Sequence, residues 1–304
     1  MHFVNAKSIL TPHSMNIYRG CQHGCIYCDS RSKCYQFTHD FEDIEVKQNA
    51  PQLLEEALRK KRKRCMIGTG SMTDPYIPLE KELCLMRRCL EIIDRHNFGA
   101  TMITKSDLVL RDLDLLDRIN QKTKAVVQMT LTTADDTLCK KIEPGVCPTS
   151  RRFEVLQACH DAGIPTVVWF CPLLPFINDT KENIEGIVDY CVRAKVHAII
   201  CFGIGLTLRE GNREYFYDAL DRNFVPDSAQ TSTSQPSQPS QPSLKQKYIQ
   251  TFGYSYMVNS PHNKTLMTYL AQLCKQNNIM LGTDSVFKWM EEFRDSNPNQ
   301  PELF

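Results

Sequence analysis

"GATMITKSDLVLRDLDLLDRIN", residues 99–120, reads as two elements joined by a turn. Gly99 to Thr104 is a short run of apolar and β-branched residues, the pattern of a buried strand. From Arg111 onward the leucines and Ile119 recur at helical spacing, so one face of an amphipathic helix can be buried. Lys105 stands where the strand ends.

The same unit repeats on both sides. "MNIY" precedes a cysteine-rich loop and the helical "APQLLEEALRKKRKR"; "CMIGTG" leads into "LEKELCLMRRCLEIIDRH"; "KAVVQMTL" into "TSRRFEVLQACHDAG"; "IPTVVWF" into "DTKENIEGIVDYCVRAKV"; "HAIICFGI" into "NREYFYDALD". Asp179 with Glu182 forms an expected capping pair at one helix start. Six strand–helix units about every 30 residues predict an α/β fold, with a parallel sheet curled toward a barrel or opened into a doubly wound sheet. In both, chemistry belongs in the loops at the carboxyl ends of the strands. The informative stretches follow strands in this way: the cysteine group, "GSMTDPY", "KSDLVLRD", "CPLLPFIND" and "GIGLTLREGN".

Beyond residue 226 the composition changes. "DSAQTSTSQPSQPSQPS" cannot bury a core and is expected to be a disordered loop, spanning 227–243. "SPHNKTLMTYLAQLCKQNN", with Ser260 or Asn263 as its cap, and "DSVFKWMEEF" predict helices over 244–304 that pack back onto the strand–helix array.

With 304 residues, 42% hydrophobic, 23% charged and a formal net charge of +1, the chain can bury a sizeable core. A near-neutral balance gives no support to a protein-wide field that would attract nucleic acid or anionic membrane, and leaves local basic patches open. "MHFVNAKSIL" lacks the pattern of a secretory signal, and the apolar runs are too short and proline-broken to span a bilayer. The expected location is cytoplasmic. There, fourteen cysteines are thiols or metal ligands rather than disulfides. Cys89, Cys159, Cys191, Cys201 and Cys274 stand singly in apolar contexts and read as small buried hydrophobes.

Four others cluster in "YRGCQHGCIYCDSRSKCY", residues 18–35: Cys21, Cys25, Cys28 and Cys34. The first three follow C-x3-C-x2-C. Structural zinc wants four closed ligands, which Cys34 or His23 would complete, giving a zinc-binding interaction protein. An iron–sulfur cubane is also held by thiolates, and one held by three leaves an iron open to a small molecule.

C-x3-C-x2-C with an aromatic before its last cysteine (Tyr27), on the loop after strand 1 of a βα array, resembles the radical S-adenosylmethionine superfamily. The resemblance implies a partial (β/α)6 TIM-like barrel over residues 1–226, with a C-terminal helical extension. It further implies a [4Fe–4S] cluster on Cys21, Cys25 and Cys28, whose fourth iron chelates S-adenosylmethionine. Reductive cleavage would then give a 5′-deoxyadenosyl radical that abstracts hydrogen from a substrate, with a flavodoxin- or ferredoxin-type electron donor. Cys34 is no ligand in that case, and Tyr27 packs near the adenine.

"GSMTDPYIPLE", "ITKSDLVLRDLDLL" and "EPGVCPTSRRFEVLQACHDAGIPT" are similar, in order and spacing, to the spore photoproduct lyase-like (DNA repair photolyase-like) branch. By that resemblance Thr73 and Lys105 contact S-adenosylmethionine. A lysine at a buried strand end also needs an anion on physical grounds alone. Two departures stand out. The lyases have a hydrogen-donor cysteine where this chain has Ser71, and a tyrosine where it has Asp29. A hydroxyl cannot readily deliver a hydrogen atom, so radical generation is expected without the lyases' hydrogen return. The reaction is left lyase-like or transferase-like, and the substrate a nucleic acid or a small molecule, peptide or protein.

Other candidates for the site are Asp74 in "MTDP" as a hydrogen-bond acceptor, and Arg209 and Tyr215 in "TLREGNREYFY" as a substrate clasp, with Glu210, Arg213 and Tyr217 beside them. Cys171 reads as a structural or redox thiol. "RKKRKR", residues 59–64, reads as a solvated last helical turn on the face opposite the site, with phosphate contact as the alternative. No Walker-type phosphate loop or Gly-x-Ser-x-Gly elbow occurs in the sequence.

Overall fold

The computed structural model describes residues 1–224 and 242–292. Seven parallel strands and one antiparallel edge strand form the central eight-stranded sheet. In spatial order the parallel strands are β1 (Ser14–Met15), β2 (Met66–Thr69), β3 (Gly99–Thr104), β4 (Ala125–Thr130), β5 (Thr166–Trp169), β6 (Ala198–Ile200) and β7 (Met280–Leu281). Leu10–Thr11 pairs antiparallel with β1. The α/β class and the dominance of parallel pairing agree with the sequence reading. The strand count exceeds six because β7 comes from the C-terminal segment, pairing with β6 through Ala198 and Ile199.

A parallel sheet covered on both faces needs strands that are apolar throughout. Every residue of β4, "AVVQMT", is buried. Gln128 within it donates to Thr101 Oγ1 at 2.7 Å and accepts from Trp169 Nε1 at 2.6 Å, so its amide is not left unpaired. The five singly placed cysteines are buried as small hydrophobes, and all fourteen cysteines are free thiols.

Several elements differ from expectation. "MNIY" is not one strand: Met15 closes β1, while Tyr18–Arg19 joins His2–Val4 and Glu45–Lys47 in a separate three-stranded sheet. The helix expected across 79–96 breaks at Cys84, whose φ is 50°. Buried Glu80 causes the break. It accepts from Leu85 N and Met86 N, both at 3.0 Å, and so caps helix Leu85–Arg95 from outside. Thr180, rather than Asp179, caps helix Lys181–Arg193, accepting from Asn183 N at 3.2 Å. Asp179 instead accepts from Ser260 Oγ at 2.6 Å, and Asn263 Oδ1 accepts from Ile204 N at 2.9 Å. Neither Ser260 nor Asn263 caps helix Asn263–Gln276; both spend their side chains tying the C-terminal segment to the core.

That segment runs through helix Leu244–Phe252, strand Met257–Asn259, helix Asn263–Gln276, β7 and helix Thr283–Glu291. Met257–Asn259 pairs antiparallel with Gly205–Thr207, just beyond β6. Residues 227–241 of the expected low-complexity loop lie outside the described residues; Ser243 caps the following helix, accepting from Gln246 N at 3.2 Å. Of "RKKRKR", only Arg59 and Lys60 fall in the helix, and the rest leads into the amino end of β2. No described helix is long and apolar enough to cross a membrane.

Candidate active site

The cysteine loop begins two residues after Arg19 and is held from two sides. Cys21 N donates to Phe41 O at 3.1 Å, and Ile26 N to Ile142 O at 3.0 Å. Gly145 N donates to His23 O at 2.9 Å, and a Cβ there would lie 2.7 Å from that same oxygen, so the approach needs glycine. Cys21 and Cys25 are buried and Cys28 is half-buried; Cys34 is exposed on the 3-10 turn Lys33–Tyr35.

Tetrahedral zinc, with Zn–S bonds of about 2.3 Å, needs sulfurs about 3.8 Å apart. Among the described residues, Cys21, Cys25 and Cys28 form no group, with Cys34 or His23, whose ligand atoms all lie within 4.8 Å. His23 Nε2 lies 2.9 Å from Asp74 Oδ2, both side chains buried. A cubane carries its thiolates on separate corners and does not need them that close together. Burial pushes the Cys21 thiol up to about 12 and the Cys25 thiol up as well, so a metal must be present for these sulfurs to be thiolates at neutral pH.

Lys105 follows β3, with Nζ 5.9 Å from the centre of the Tyr27 ring. That nitrogen has no hydrogen-bond partner among the described residues. Burial alone would lower its pKa; Cys25, when it is a thiolate, and Glu143 outweigh that and raise it. Tyr27 is pinned from behind. Its hydroxyl donates to Glu143, whose other oxygen lies 2.7 Å from Arg152 Nη2, with both charged side chains wholly buried. Arg152 also donates to Cys147 O at 2.9 Å and Thr130 O at 3.0 Å. The sequence reading missed this pair. Its only signal was an arginine on the buried face of helix Thr149–Asp161, three residues after that helix begins.

At the carboxyl ends of the strands these groups surround a cavity of about 490 Å³. Tyr27, Cys28, Ser71, Lys105, Cys171 and Trp169 are among its walls. Cavities of about 560 and 590 Å³ open around His197 at the amino ends, away from the cysteine loop.

The family model described as the radical SAM superfamily matches residues 15–214. The chain belongs to the radical SAM superfamily. Radical SAM proteins use a [4Fe–4S] cluster and S-adenosylmethionine. Among its relatives, an uncharacterized protein of Mycobacterium tuberculosis is 28% identical over 223 residues, 70% of this chain and 64% of that protein. The match thus spans less than two thirds of that relative's length. An uncharacterized protein of Methanocaldococcus jannaschii is 32% identical over 187 residues, 59% of this chain and 69% of that protein. The structure of spore photoproduct lyase complexed with dinucleoside spore photoproduct superposes with a TM-score of 0.62, at 11% identity, over 92% of this chain and 80% of that one. A variant of that lyase with bound AdoMet and the same dinucleoside gives 0.59 at 12% identity, over 88% and 75%. This likeness is one of fold.

The remaining sequence candidates of this radical SAM chain divide sharply. Ser71 and Asp29 line the cavity; Thr73 is buried and does not line it. Asp74 is saturated. It faces His23, accepts from Thr104 Oγ1 and Tyr76 N at 2.8 Å each, and from Lys105 N at 2.7 Å. Burial would raise its pKa, but His23 and these donors hold the carboxyl below its usual value. Asp74 therefore clamps the segment after β2 to the end of β3 and faces the cysteine loop through His23, with most of its acceptor sites taken. Arg209 donates to Asp29 and, at 3.3 Å, to Tyr35 Oη, closing the rim. Tyr215 lies outside the cavity, its ring 3.7 Å from the Arg31 guanidinium, which also sits 4.5 Å from the Phe41 ring. Arg213 is spent on Leu208 O, Tyr254 O and Ser255 O, and Glu210 on Lys33 at 2.5 Å.

Proposed function

We propose that this chain is a radical SAM enzyme in which Cys21, Cys25 and Cys28 hold the cluster and Lys105 meets the carboxylate of S-adenosylmethionine beside Tyr27. When bound, the reduced cluster supplies reductive cleavage of S-adenosylmethionine, yielding the radical that takes hydrogen from the substrate. The observation that carries this reading is the convergence of Cys28, Tyr27 and Lys105 on one cavity at the carboxyl ends of the strands. β1 to β6 with their following helices are the catalytic (β/α)6 unit. Glu143 and Arg152 fix the Tyr27 ring, and Asp74 fixes the loop. Ser71 stands in place of a thiol, so the lyases' hydrogen return does not operate from that position. Electrons come from a flavodoxin- or ferredoxin-type protein.

A nucleic-acid substrate is the second reading. It is supported by an aromatic mouth: Trp169 and Phe202 have ring centres 5.5 Å apart, and Phe202 is 64% exposed, as a base-stacking platform requires. Protein with its cluster reconstituted anaerobically, then reduced by dithionite with S-adenosylmethionine, is expected to form 5′-deoxyadenosine, and Cys25→Ala to form none. A wild-type protein whose reduced cluster is seen by electron paramagnetic resonance, yet makes no 5′-deoxyadenosine, overturns the proposal.

A further inference from the structure

The small sheet beside the cysteine loop holds a second group of metal-ligating side chains. His2, His39 and Glu45 each offer an atom such that all three lie within 4.8 Å of one another. His39 Nε2 lies 3.8 Å from Glu45 Oε2, too far for a hydrogen bond, and it is buried without a hydrogen-bond partner among the described residues. The far sides of both rings are occupied. His2 Nδ1 lies 3.0 Å from Asp43 Oδ2, and His39 Nδ1 lies 2.9 Å from Asp40 O. Such acceptors hold the proton on Nδ1 and leave Nε2 as the free lone pair, the outer-shell arrangement of metal-bound histidines.

One cation competes for the carboxylate. Arg19 Nη1 lies 3.9 Å from the same Glu45 oxygen, but its Nη2 is held by Tyr35 O at 2.9 Å and Gln36 O at 3.1 Å. The N-terminal ammonium is paired with Asp43 at 2.8 Å, and Lys47 Nζ with Asn16 O at 2.8 Å. An orphaned buried imidazole nitrogen facing a carboxylate is a costly arrangement unless something sits between them.

We propose that His2, His39 and Glu45 bind one zinc ion, separate from the cysteine loop. Two imidazoles and one carboxylate are a known zinc donor set, with bonds of about 2.0–2.2 Å. Donor atoms then need to approach to about 3.3 Å, a small closing movement of side chains, two of which begin strands. The ion joins strand His2–Val4, the turn at His39 and strand Glu45–Lys47. The last of these pairs with Tyr18–Arg19, two residues before Cys21, so the ion braces the sheet from which the cysteine loop departs.

The test uses full-length protein with its cluster reconstituted, stripped of loosely held metal and equilibrated with zinc chloride. Elemental analysis after desalting is expected to find one zinc per chain in wild type and at least a tenfold weaker retention in His2→Ala and in His39→Ala, with iron content unchanged. Zinc-edge X-ray absorption is expected to show nitrogen and oxygen donors only. A wild type that retains no zinc, variants that both retain as much zinc as wild type, or a sulfur shell from cysteines each overturns the site. Should His39→Ala fail to fold, His2→Ala, at the more exposed ligand, decides the outcome by itself.

Discussion

Glu143 Oε2 and Arg152 Nη2 are 2.7 Å apart with no exposure of either side chain. A buried pair is not a large net gain over apolar packing, but breaking it leaves an uncompensated charge. Arg152→Met is therefore expected to cost about 3–5 kcal/mol in urea denaturation, and to loosen the ring of Tyr27 through Glu143. A loss under about 1 kcal/mol would show the pair to be unimportant for stability.

Acid should dissolve the same interaction. Burial by itself would raise the Glu143 pKa, yet Arg152 and Lys105 hold it below its usual value in the folded chain. The folded carboxyl binds its proton more weakly than the unfolded one, whose pKa is about 4.3. The contribution is thus complete above about pH 4.3 and vanishes as pH falls through the lower folded value. Urea midpoints measured from pH 7 downward should converge between wild type and Glu143→Gln in that acid range alone.

Lys105→Met removes a cation that no neighbour among the described residues hydrogen-bonds. Iron content is expected to match wild type, while S-adenosylmethionine binding weakens at least tenfold, about 1.4 kcal/mol. The change that S-adenosylmethionine produces in the cluster's paramagnetic resonance spectrum reports this directly. Unchanged affinity would remove Lys105 from the cofactor site.

Asp74→Ala releases three charge-assisted donors and His23, and each such bond is worth about 1.5–3 kcal/mol. Because these partners lie on the cysteine loop and at the ends of β2 and β3, reconstituted protein should hold less iron than wild type, with Asp74→Asn falling between. Equal iron in all three would mean the clamp does not set the loop.

Arg209→Ala tests the rim. Its pair with Asp29 is partly exposed, at 38% and 29% of the two side chains. The expected stability change is about 1 kcal/mol or less, and 5′-deoxyadenosine formed without substrate should stay at the wild-type level. A collapse of that background reaction would place Arg209 in the cofactor site rather than at its edge.

Much of the site was legible in one dimension because its signals are local. Cys21, Cys25 and Cys28 sit within one loop, and Lys105 ends a strand whose apolar run is plain. Tyr27 adjoins the last cysteine of the group. What escaped was the support. Glu80, Glu143 and Arg152 are polar residues that look solvent-bound in sequence, and each is buried by partners far along the chain. The pairs Tyr18–Glu80 and Tyr27–Glu143 span 62 and 116 residues.

The amino-acid order alone determined the alternation of strands and helices and the three-thiol loop, since hydrophobic period and ligand spacing are properties of neighbouring residues. Only the tertiary structure decided that Asp74 is a saturated clamp, that Tyr215 serves Arg31, that β7 joins the sheet, and that His2 meets His39 and Glu45. Those outcomes depend on which distant groups burial forces to satisfy one another, and no local pattern carries that information.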